Sequence, residues 1–359
     1  MTKCAIMHVD AYEEDKVLEA MRGIADATAF PDVEGKTVLV KPNILSDSYP
    51  EKAITTHPAV IKALITLLWE KGAKRILAGD SPGMQTGRFN PVNSGLRKVA
   101  EETGAEIVDF RESTRIHEVE GIRIPMTDAI DQADIVISAA KFKTHQLMSA
   151  TGAVKNMFGL VPGLQKSPMH LRARTPESFA RLILSIFREA HVDYAVIDAI
   201  EGMEGAGPTN GQPRHVGLLM GSENAFALDK AESVIMGYRS VPIIEEAERR
   251  FPGITDAEYP LLNPEDLIIR DYRRIPEGKK TTIRTLFLPN LLSRIGIATD
   301  GRAYPEFIHS ECRHCLKCVN VCPAKALEMK GGRIHINRRK CIRCYCCHEM
   351  CPFDAIKIK

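Results

Sequence analysis

The sequence predicts an α/β protein: an open, mostly parallel, doubly wound sheet followed by a small, cysteine-rich C-terminal α+β domain. Apolar, β-branched runs alternate with stretches of helical periodicity through most of the first 235 residues. Nine of the ten cysteines lie together near the C-terminus. The alternation requires crossover connections, which set strands parallel and cover both faces of the sheet with helices.

Seven apolar runs are predicted as strands, and the segments between several of them as helices. The strands are CAIMHV (4–9), TVLVK (37–41), RILAG (75–79), EIVDF (106–110), DIVISAA (134–140), YAVIDAI (194–200) and VGLLMGS (216–222). The helices are HPAVIKALITLLWEKG (57–72), PVNSGLRKVAEETG (91–104), ESFARLILSIFREA (177–190) and ENAFALDKAESVIMG (223–237). Pro58 after Thr56 and His57 indicates a helix start with an N-cap.

Length and composition predict two domains. The chain has 359 residues, of which 44% are hydrophobic, enough for a sizeable core. We divide it into an α/β domain (1–235), a connecting segment (236–302) and a C-terminal domain (303–359). Within the connecting segment, TLFLPNLLSRIGIA (285–298) is expected to pack as a helix between the domains, or alternatively to meet a partner or a membrane surface.

Charge and targeting signals narrow the class of protein. The formal net charge is +2, which does not indicate nucleic-acid binding. The N-terminal apolar run is too short for a secretory signal, and no stretch reaches the roughly 18 apolar residues of a membrane span. Clustered cysteines indicate a metal site in a reducing compartment rather than a disulfide framework. We therefore expect a cytoplasmic protein with no membrane span and no nucleic-acid partner.

Polar residues gather after the predicted strands, at the edge where open α/β sheets bind ligands. Lysines can hold a carboxylate or phosphate, and histidines can move protons near neutral pH. Singly, each residue also fits a turn, a helix cap, a solvated loop or a structural histidine, but their joint placement favours a site. We expect substrate binding by Lys41, Asn43, Asp80, Ser81, Lys141, Lys155, Asn156 and His170, and catalysis by His145, Lys143, His57 and Asp198.

This set suits an anionic organic substrate. No P-loop or G-x-G-x-x-G pattern is present, so no nucleotide is expected. Two alternatives stay open. The carboxylates Asp80, Asp198, Glu201 and Glu204 could, with the histidines, bind a divalent or non-haem iron ion. The glycine-rich segment EGMEGAGPTNGQP (201–213) is either a connector or, as we favour, a loop that closes over the site.

The C-terminal cysteines form two runs with one spacing, C-x2-C-x2-C-x3-C-P. With this spacing the fourth cysteine of each run ligates the other cluster. The predicted ligands are therefore Cys312, Cys315, Cys318 and Cys351 for one [4Fe–4S] cluster and Cys341, Cys344, Cys347 and Cys322 for the other. Two zinc sites would leave half of these cysteines without a role. Cys346, between two ligands, is expected to be a spare small residue.

The cysteine segment resembles a bacterial two-[4Fe–4S] ferredoxin domain, small and α+β. From Glu311 to Lys359 it has eleven Lys or Arg against four acids. Part of this positive charge offsets the clusters, and part suits docking of an acidic, soluble ferredoxin or flavodoxin.

The first domain resembles the family called domain of unknown function 362, which is often fused to a ferredoxin domain. The resemblance covers roughly residues 36 to 235 and rests on VKPNIL, TTHPAVIKALI, GDSPG, ADIVISAAKFKTH, TGAVKNMFGLVPG and IDAIEGMEGAGPTNGQP. It implies no catalytic residue. The architecture is also distantly similar to the lactate racemase catalytic family.

These observations favour an oxidoreductase in which two clusters bring single electrons to an anionic substrate or cofactor at the strand ends. Most two-electron reductions use a flavin or a metal intermediary, so either is a further candidate cofactor. The alternatives are a non-catalytic electron-transfer or cofactor-assembly protein, and a non-redox isomerase or lyase with an accessory ferredoxin domain.

Overall fold

A computed structural model describes residues 2–83, 88–276 and 302–358. The segment 285–298, predicted to be a helix between the domains, lies outside the described residues. The helices are α1 (Glu14–Ala27), α2 (Pro58–Glu70), α3 (Leu96–Thr103), α4 (Gly152–Asn156), α5 (Lys166–Arg172), α6 (Pro176–Glu189), α7 (Ala225–Ile235), α8 (Pro242–Arg250), α9 (Lys317–Val321) and α10 (Cys346–Glu349).

A mixed, mostly parallel sheet forms the centre of the first domain. Its strands are β1 (Cys4–His8), β2 (Thr37–Pro42), β3 (Arg75–Asp80), β4 (Glu106–Asp109), β7 (Ile135–His145), β9 (Val192–Glu204) and β10 (Gln212–Ser222), in the order β1-β10-β9-β7-β2-β3-β4. Strands β4, β3, β2, β7 and β9 run parallel, whereas β10 and β1 are antiparallel to their neighbours. A short strand, β8 (Ser149–Ala150), turns back along β7.

Helices cover both faces of this sheet, as the doubly wound prediction requires. Along β2, Val38 and Val40 pack in one core with α1 and α2, while Leu39 between them packs in the other core with α4, α6 and α7. Such a strand reads as a continuous apolar run because it is buried on both sides. All seven predicted strands and all four predicted helices are present.

Several elements were not predicted from the sequence. They include α1, α8 and the separate hairpin formed by β5 (Thr114–Val119) and β6 (Ile122–Thr127). Residues 237–276 pack on the α/β domain: α8 contacts α6, and the Tyr272 hydroxyl donates to the Met203 carbonyl.

Two predicted boundaries at the sheet edge were wrong. Strand β7 continues to His145, so Lys141, Lys143 and His145 lie on a strand and not in the loop after it. It continues because β9 is also long and pairs with it at Lys141 and Lys143. The segment predicted as a closing loop, 201–213, is in part strand: residues 201–204 end β9 and 212–213 begin β10, which pair as a hairpin and leave 205–211 as its turn.

The C-terminal domain is small and α+β, as predicted. It contains the antiparallel pairs β11 (Pro305–Phe307) with β14 (Ile356–Ile358) and β12 (Leu327–Lys330) with β13 (Arg333–Ile336). Helices α9 and α10 contact each other. Cys346 and Glu349 of α10 face the carboxyl edge of the large sheet, so the two domains meet there.

Candidate functional site

A cavity lies between the carboxyl ends of β2, β3 and β7 and the C-terminal domain, and its space for water-sized molecules is about 90 Å³. Eight of the twelve predicted site residues line it: Lys41, Asn43, Asp80, Ser81, His145, Lys155, Asn156 and His170. The C-terminal domain contributes Val321, Cys346, Glu349 and Met350. Most of the residues predicted at the strand ends therefore line one cavity, and the other wall of that cavity belongs to the second domain.

A buried ion pair forms one side of the cavity. The Lys41 ammonium donates to Asp80 Oδ2 at 2.8 Å and to Asn156 Oδ1 at 2.7 Å. Asp80 also accepts the Ile44 amide at 2.7 Å, and Asn43 Nδ2 donates to Asn156 Oδ1 at 3.0 Å. Burial lowers the pKa of Lys41, and Asp80 opposes that shift. Because Lys41 and Asp80 neutralise each other, this side adds hydrogen-bonding groups but little net charge.

Gly159 packs directly against the pair. A Cβ there would stand 2.3 Å from Asp80 Oδ1 and 2.6 Å from Lys41 Nζ, so only glycine leaves room for the ion pair.

Two further lysines line the cavity. Lys155, on α4, is half-buried, and its ammonium has no hydrogen-bond or ion-pair partner within the described ranges. Lys166, the first residue of α5, donates to the Ser81 carbonyl, and burial lowers its pKa to about 7. The cavity therefore offers one lysine without a direct partner, whose charge interacts with the Glu349 carboxylate, and one lysine whose pKa is near 7.

His145 joins the two domains. Its Nδ1 accepts the amides of Leu147 and Met148 at 3.1 and 3.2 Å, so the ring proton belongs on Nε2, which lies 2.6 Å from Glu349 Oε1. Burial lowers the pKa of His145 to about 4, so the ring is neutral at pH 7. Burial alone would raise the pKa of Glu349, but His145 and Lys155 outweigh it and lower that pKa to about 2.

His170 forms an apolar side of the cavity. Its ring stacks on Phe179 with centroids 4.2 Å apart and meets Phe158 edge to face at 5.8 Å. Burial lowers the pKa of His170 to about 4. Its Nδ1 is buried without a hydrogen-bond partner.

The neutral state of His170 predicts a pH dependence of stability. A histidine whose folded pKa lies below its unfolded value of about 6.5 stabilises the fold above that pH, and this contribution is lost as the pH falls toward 4. We expect His170→Phe to lose less stability than wild type between pH 7 and pH 5, as measured by anaerobic urea unfolding at both pH values. An equal loss of unfolding free energy in the two proteins would contradict the prediction. Destabilisation by acid that affects both proteins alike cancels in the comparison.

Among the described residues, three buried polar atoms around the cavity have no hydrogen-bond partner. They are Asn43 Oδ1, Thr151 Oγ1 and His170 Nδ1. An unpartnered buried polar group costs about 1–3 kcal/mol, so such groups are normally satisfied by protein, water or ligand. Together with the Lys155 ammonium, they suit an anion that also carries hydrogen-bonding groups of its own.

The other four predicted site residues do not line this cavity. Lys141 and Asp198 form a buried ion pair at 2.8 Å, and Tyr12 bonds to both. Asp198 also accepts the His57 amide, and the His57 ring stacks on Tyr12 with centroids 3.5 Å apart. Lys143 donates to the Ile54 carbonyl at 2.7 Å. These side chains are bonded to one another or to backbone, which supports a structural role at the same sheet edge.

The four carboxylates considered for a mononuclear metal each have a different cationic or titratable partner. Asp80 pairs with Lys41, Asp198 with Lys141, Glu201 with His215 and Glu204 with Arg273. Each of these acids is therefore engaged in its own pair, and the four do not form one shared site.

The cavity lining also contains residues that were not predicted from the sequence, among them Thr151, Phe158, Lys166 and Glu349. Lys166 and Glu349 lie on short helices that do not follow a predicted strand, and Glu349 belongs to the other domain. The stretch TGAVKNMFG did single out the segment that contains Thr151 and Phe158, but without these two residues.

The C-terminal cysteines come together as the crossed pattern predicts. Cys312, Cys315, Cys318 and Cys351, the first cysteine set, line one cavity. Cys322, Cys341, Cys344 and Cys347, the second cysteine set, line another. None of the ten cysteines forms a disulfide. The four thiols of each set line one space, with Cys346 as a fifth thiol at the second, which fits the ligand demand of [4Fe–4S] centres.

The two cysteine runs also repeat in backbone conformation. Residues with positive φ recur two positions after the first cysteine (His314, Arg343), one after the second (Leu316, Tyr345) and three after the fourth (Lys325, Asp354). Left-handed conformations are uncommon for residues other than glycine. Their recurrence shows that both runs wrap their cavities with the same turns.

Cys346 is the exception to the repeat. It lines the cavity of the second cysteine set and also the large interdomain cavity. Because the crossed pattern completes both sets without it, we expect Cys346→Ser to retain the iron content and the electron paramagnetic resonance signals of wild type. In the matched variant Cys347→Ser, the signal of one cluster should be lost. Loss of a signal in Cys346→Ser would show that Cys346 is the ligand.

No helix in the described ranges combines the length and the apolar character that crossing a bilayer requires.

Comparisons with known proteins agree with these two units. The family model described as a domain of unknown function, DUF362, matches residues 38–233, and that of a 4Fe-4S dicluster domain matches residues 305–352. A thylakoid-associated protein of Synechocystis sp. is 29% identical over 76% of this chain and 87% of its own length. An uncharacterized ferredoxin of Methanocaldococcus jannaschii is 40% identical over 19% of this chain and 40% of its own.

Among solved structures, the lactate racemase apoprotein of Thermoanaerobacterium thermosaccharolyticum matches with a TM-score of 0.40 and 13% identity, over 65% of this chain and 57% of that one. A likeness this distant says nothing about activity. The C-terminal region is an iron–sulfur domain of the type that transfers electrons. The chain belongs to the DUF362 family and carries a C-terminal 4Fe-4S dicluster domain.

Proposed function

We propose that this chain is an iron–sulfur oxidoreductase that binds two [4Fe–4S] clusters and reduces an anionic organic molecule held in the interdomain cavity. The observation that carries the proposal is the position of Cys346, which borders both the second cysteine set and the cavity. Glu349, on the same short helix, binds His145 on the opposite side of the cavity. One residue thus separates an electron-transfer centre from a ligand-sized space.

The charges around the cavity support an anion. Within the described residues Lys155 has no hydrogen bond or ion pair and interacts with the Glu349 carboxylate only at longer range, whereas Lys41 is paired directly with Asp80 and His145 is neutral. A carboxylate or phosphate in the cavity would make the direct contact that Lys155 lacks, since a charged hydrogen bond in a buried site contributes about 1.5–3 kcal/mol. Asn43 Oδ1 accepts only, so the ligand should present an N–H or O–H there.

Each [4Fe–4S] cluster, when bound, would supply one electron at a time. The two clusters together would supply the two electrons of a two-electron reduction. The balanced reaction takes two electrons from a reduced, acidic, soluble carrier protein and two protons into the ligand. Lys166 Nζ, whose pKa is near 7, is placed to supply one proton and to regain it from solvent. Phe158, His170 and Val321 exclude water from part of the cavity, which strengthens the interaction between Lys155 and an anion.

The experiment starts from protein purified anaerobically. Small molecules released by denaturation are identified by mass spectrometry, which tests for a metabolite and also for a flavin. Dithionite-reduced protein is then mixed with the released molecule, and cluster reoxidation is followed by visible absorbance. We expect reoxidation with a stoichiometry of one ligand per two electrons. No reoxidation by any released molecule would favour a non-catalytic role.

We also propose that the protein acts in the cytoplasm, with a soluble ferredoxin or flavodoxin as electron donor. Fractionation of the native cells tests the location. Recovery with the membrane pellet would favour an association like the one named for the Synechocystis relative.

A further inference from the structure

We propose that electrons enter through a docking surface over the first cysteine set, made by Arg313, His314, Leu316, Lys317 and Phe353, and that its occupant is an acidic electron-carrier protein. This inference rests on the proposed function and assigns its electron entry to one cysteine set. The internal repeat gives each cysteine turn an equivalent turn in the same chain.

The two equivalent turns differ in exposure. Leu316 and Tyr345 occupy the same repeat position with φ of 61° and 63°. Leu316 is 38% exposed, whereas Tyr345 is 4% exposed and donates to the Ala303 carbonyl. Arg343 is buried, whereas its equivalent, His314, is exposed. One turn is therefore open to solvent, and the other is covered by the chain itself.

The position after each Cys-Pro pair shows the same difference. Phe353, after Cys351-Pro352, is 42% exposed, whereas its equivalent, Ala324, is a small, partly covered residue. Phe353 and Leu316 both line the cavity that holds the first cysteine set, and Cys315 itself is exposed. The first set therefore has an apolar, solvent-facing cover, where a partner can approach closely.

The charge beside this cover favours an acidic partner. Arg313 and Lys317 lie on either side of Cys315 and line the same cavity, and within the described ranges neither forms an ion pair. Glu311 is the one acid in the turn from 311 to 318. Uncompensated cations around an apolar centre steer an oppositely charged protein and orient it, while the apolar contact excludes water.

The second cysteine set is placed for the opposite task. Of the turn from 342 to 346, Tyr345 and Cys346 are buried, and Cys346 faces the interdomain cavity. The turn of the first cysteine set therefore faces solvent, where a protein partner can bind, and the turn of the second set faces the cavity of the ligand.

The test uses an acidic bacterial two-[4Fe–4S] ferredoxin as probe. Its affinity for the holoprotein is measured by calorimetry at low salt, and the rate at which the reduced probe reduces the protein by stopped flow. We expect Arg313→Gln with Lys317→Gln to weaken binding and to slow reduction by about 10-fold or more, because electrostatic steering changes association rates by 10 to 10³. The rate with dithionite should not change. Lys74→Gln with Lys98→Gln, two exposed lysines of the α/β domain, is the matched control.

A second variant addresses the apolar part. Leu316→Asn removes the exposed apolar side chain while tolerating the left-handed backbone better than most residues. It should slow reduction by the ferredoxin at low and high salt alike. Iron content shows whether each variant retains its clusters. If these variants lose iron, the test uses two other measurements: the rate at which the ferredoxin reduces Phe353→Gln, and the salt dependence of the wild-type rate. A wild-type rate that does not fall as salt is added overturns the proposal.

The outcomes separate this proposal from the proposed function. Unchanged affinity and rate in the charge and Leu316 variants would overturn the docking surface, whatever the cavity does. Selective loss of ferredoxin binding together with no reoxidation by a cavity ligand would support the docking surface and overturn the oxidoreductase.

Discussion

Replacing Lys155 by Met is expected to weaken ligand binding about 100-fold while leaving the iron content unchanged. Within the described residues the ammonium of Lys155 has no hydrogen bond or ion pair, and its interaction with the Glu349 carboxylate is at longer range, so it can contact an anion in the cavity directly. Loss of one charged partner in a buried site costs about 2–5 kcal/mol, and Met retains most of the apolar side chain. The measurement is the apparent dissociation constant of the released small molecule, from anaerobic reoxidation at varied concentration.

The matched control for this variant is Lys74→Met, which removes an exposed lysine outside the cavity. It should bind like wild type. Lys155→Arg keeps the charge and is expected to recover part of the affinity. Binding of the released molecule by Lys155→Met at the wild-type level would contradict both this prediction and the proposed anion site.

Replacing Asp80 by Asn is expected to lower the free energy of unfolding by about 3–5 kcal/mol, because removing one partner leaves a buried charge uncompensated. Lys41 would lose its carboxylate at 2.8 Å, and the Ile44 amide would lose a charged acceptor. The measurement is the urea midpoint followed by far-ultraviolet circular dichroism under anaerobic conditions.

An exposed ion pair gives the comparison. Arg75 and Glu106 pair at 2.6 Å, but both side chains are largely in water. Glu106→Gln should cost no more than about 1 kcal/mol, as exposed pairs do. The double variant Lys41→Met with Asp80→Asn should regain part of the stability lost in Asp80→Asn. Equal costs for Asp80→Asn and Glu106→Gln would show that burial of the pair is not what makes Asp80 important.

The large sheet was predictable because its strands carry their signal locally. A strand buried on both faces reads as an apolar run, and the parallel arrangement brings residues such as Lys41 and Asp80 to one edge. The hairpin β5–β6 was missed because it lies apart from this sheet and its strand β5 is largely exposed and polar. The cysteine sets were predictable because the spacing itself encodes the crossed arrangement.

The extent of β7 and the second wall of the cavity were not predictable, since both depend on contacts distant in the chain. Lys141 and Lys143 read as a polar loop, yet β9 pairs with them and buries them. Their partners, Asp198 and the Ile54 carbonyl, are remote in sequence. Glu349 carries no sequence signal for an α/β site because its position depends on how the two domains pack.

Because His145 and Glu349 join the two domains beside the cavity, domain packing and ligand binding are expected to be thermodynamically coupled. A molecule bound in the cavity as proposed would contact the sheet edge and the short helix of the C-terminal domain at once. By linkage, the factor by which the domain contact strengthens binding would equal the factor by which the bound molecule strengthens the domain contact. Exchanging the C-terminal domain for another ferredoxin would therefore change substrate affinity as well as the supply of electrons.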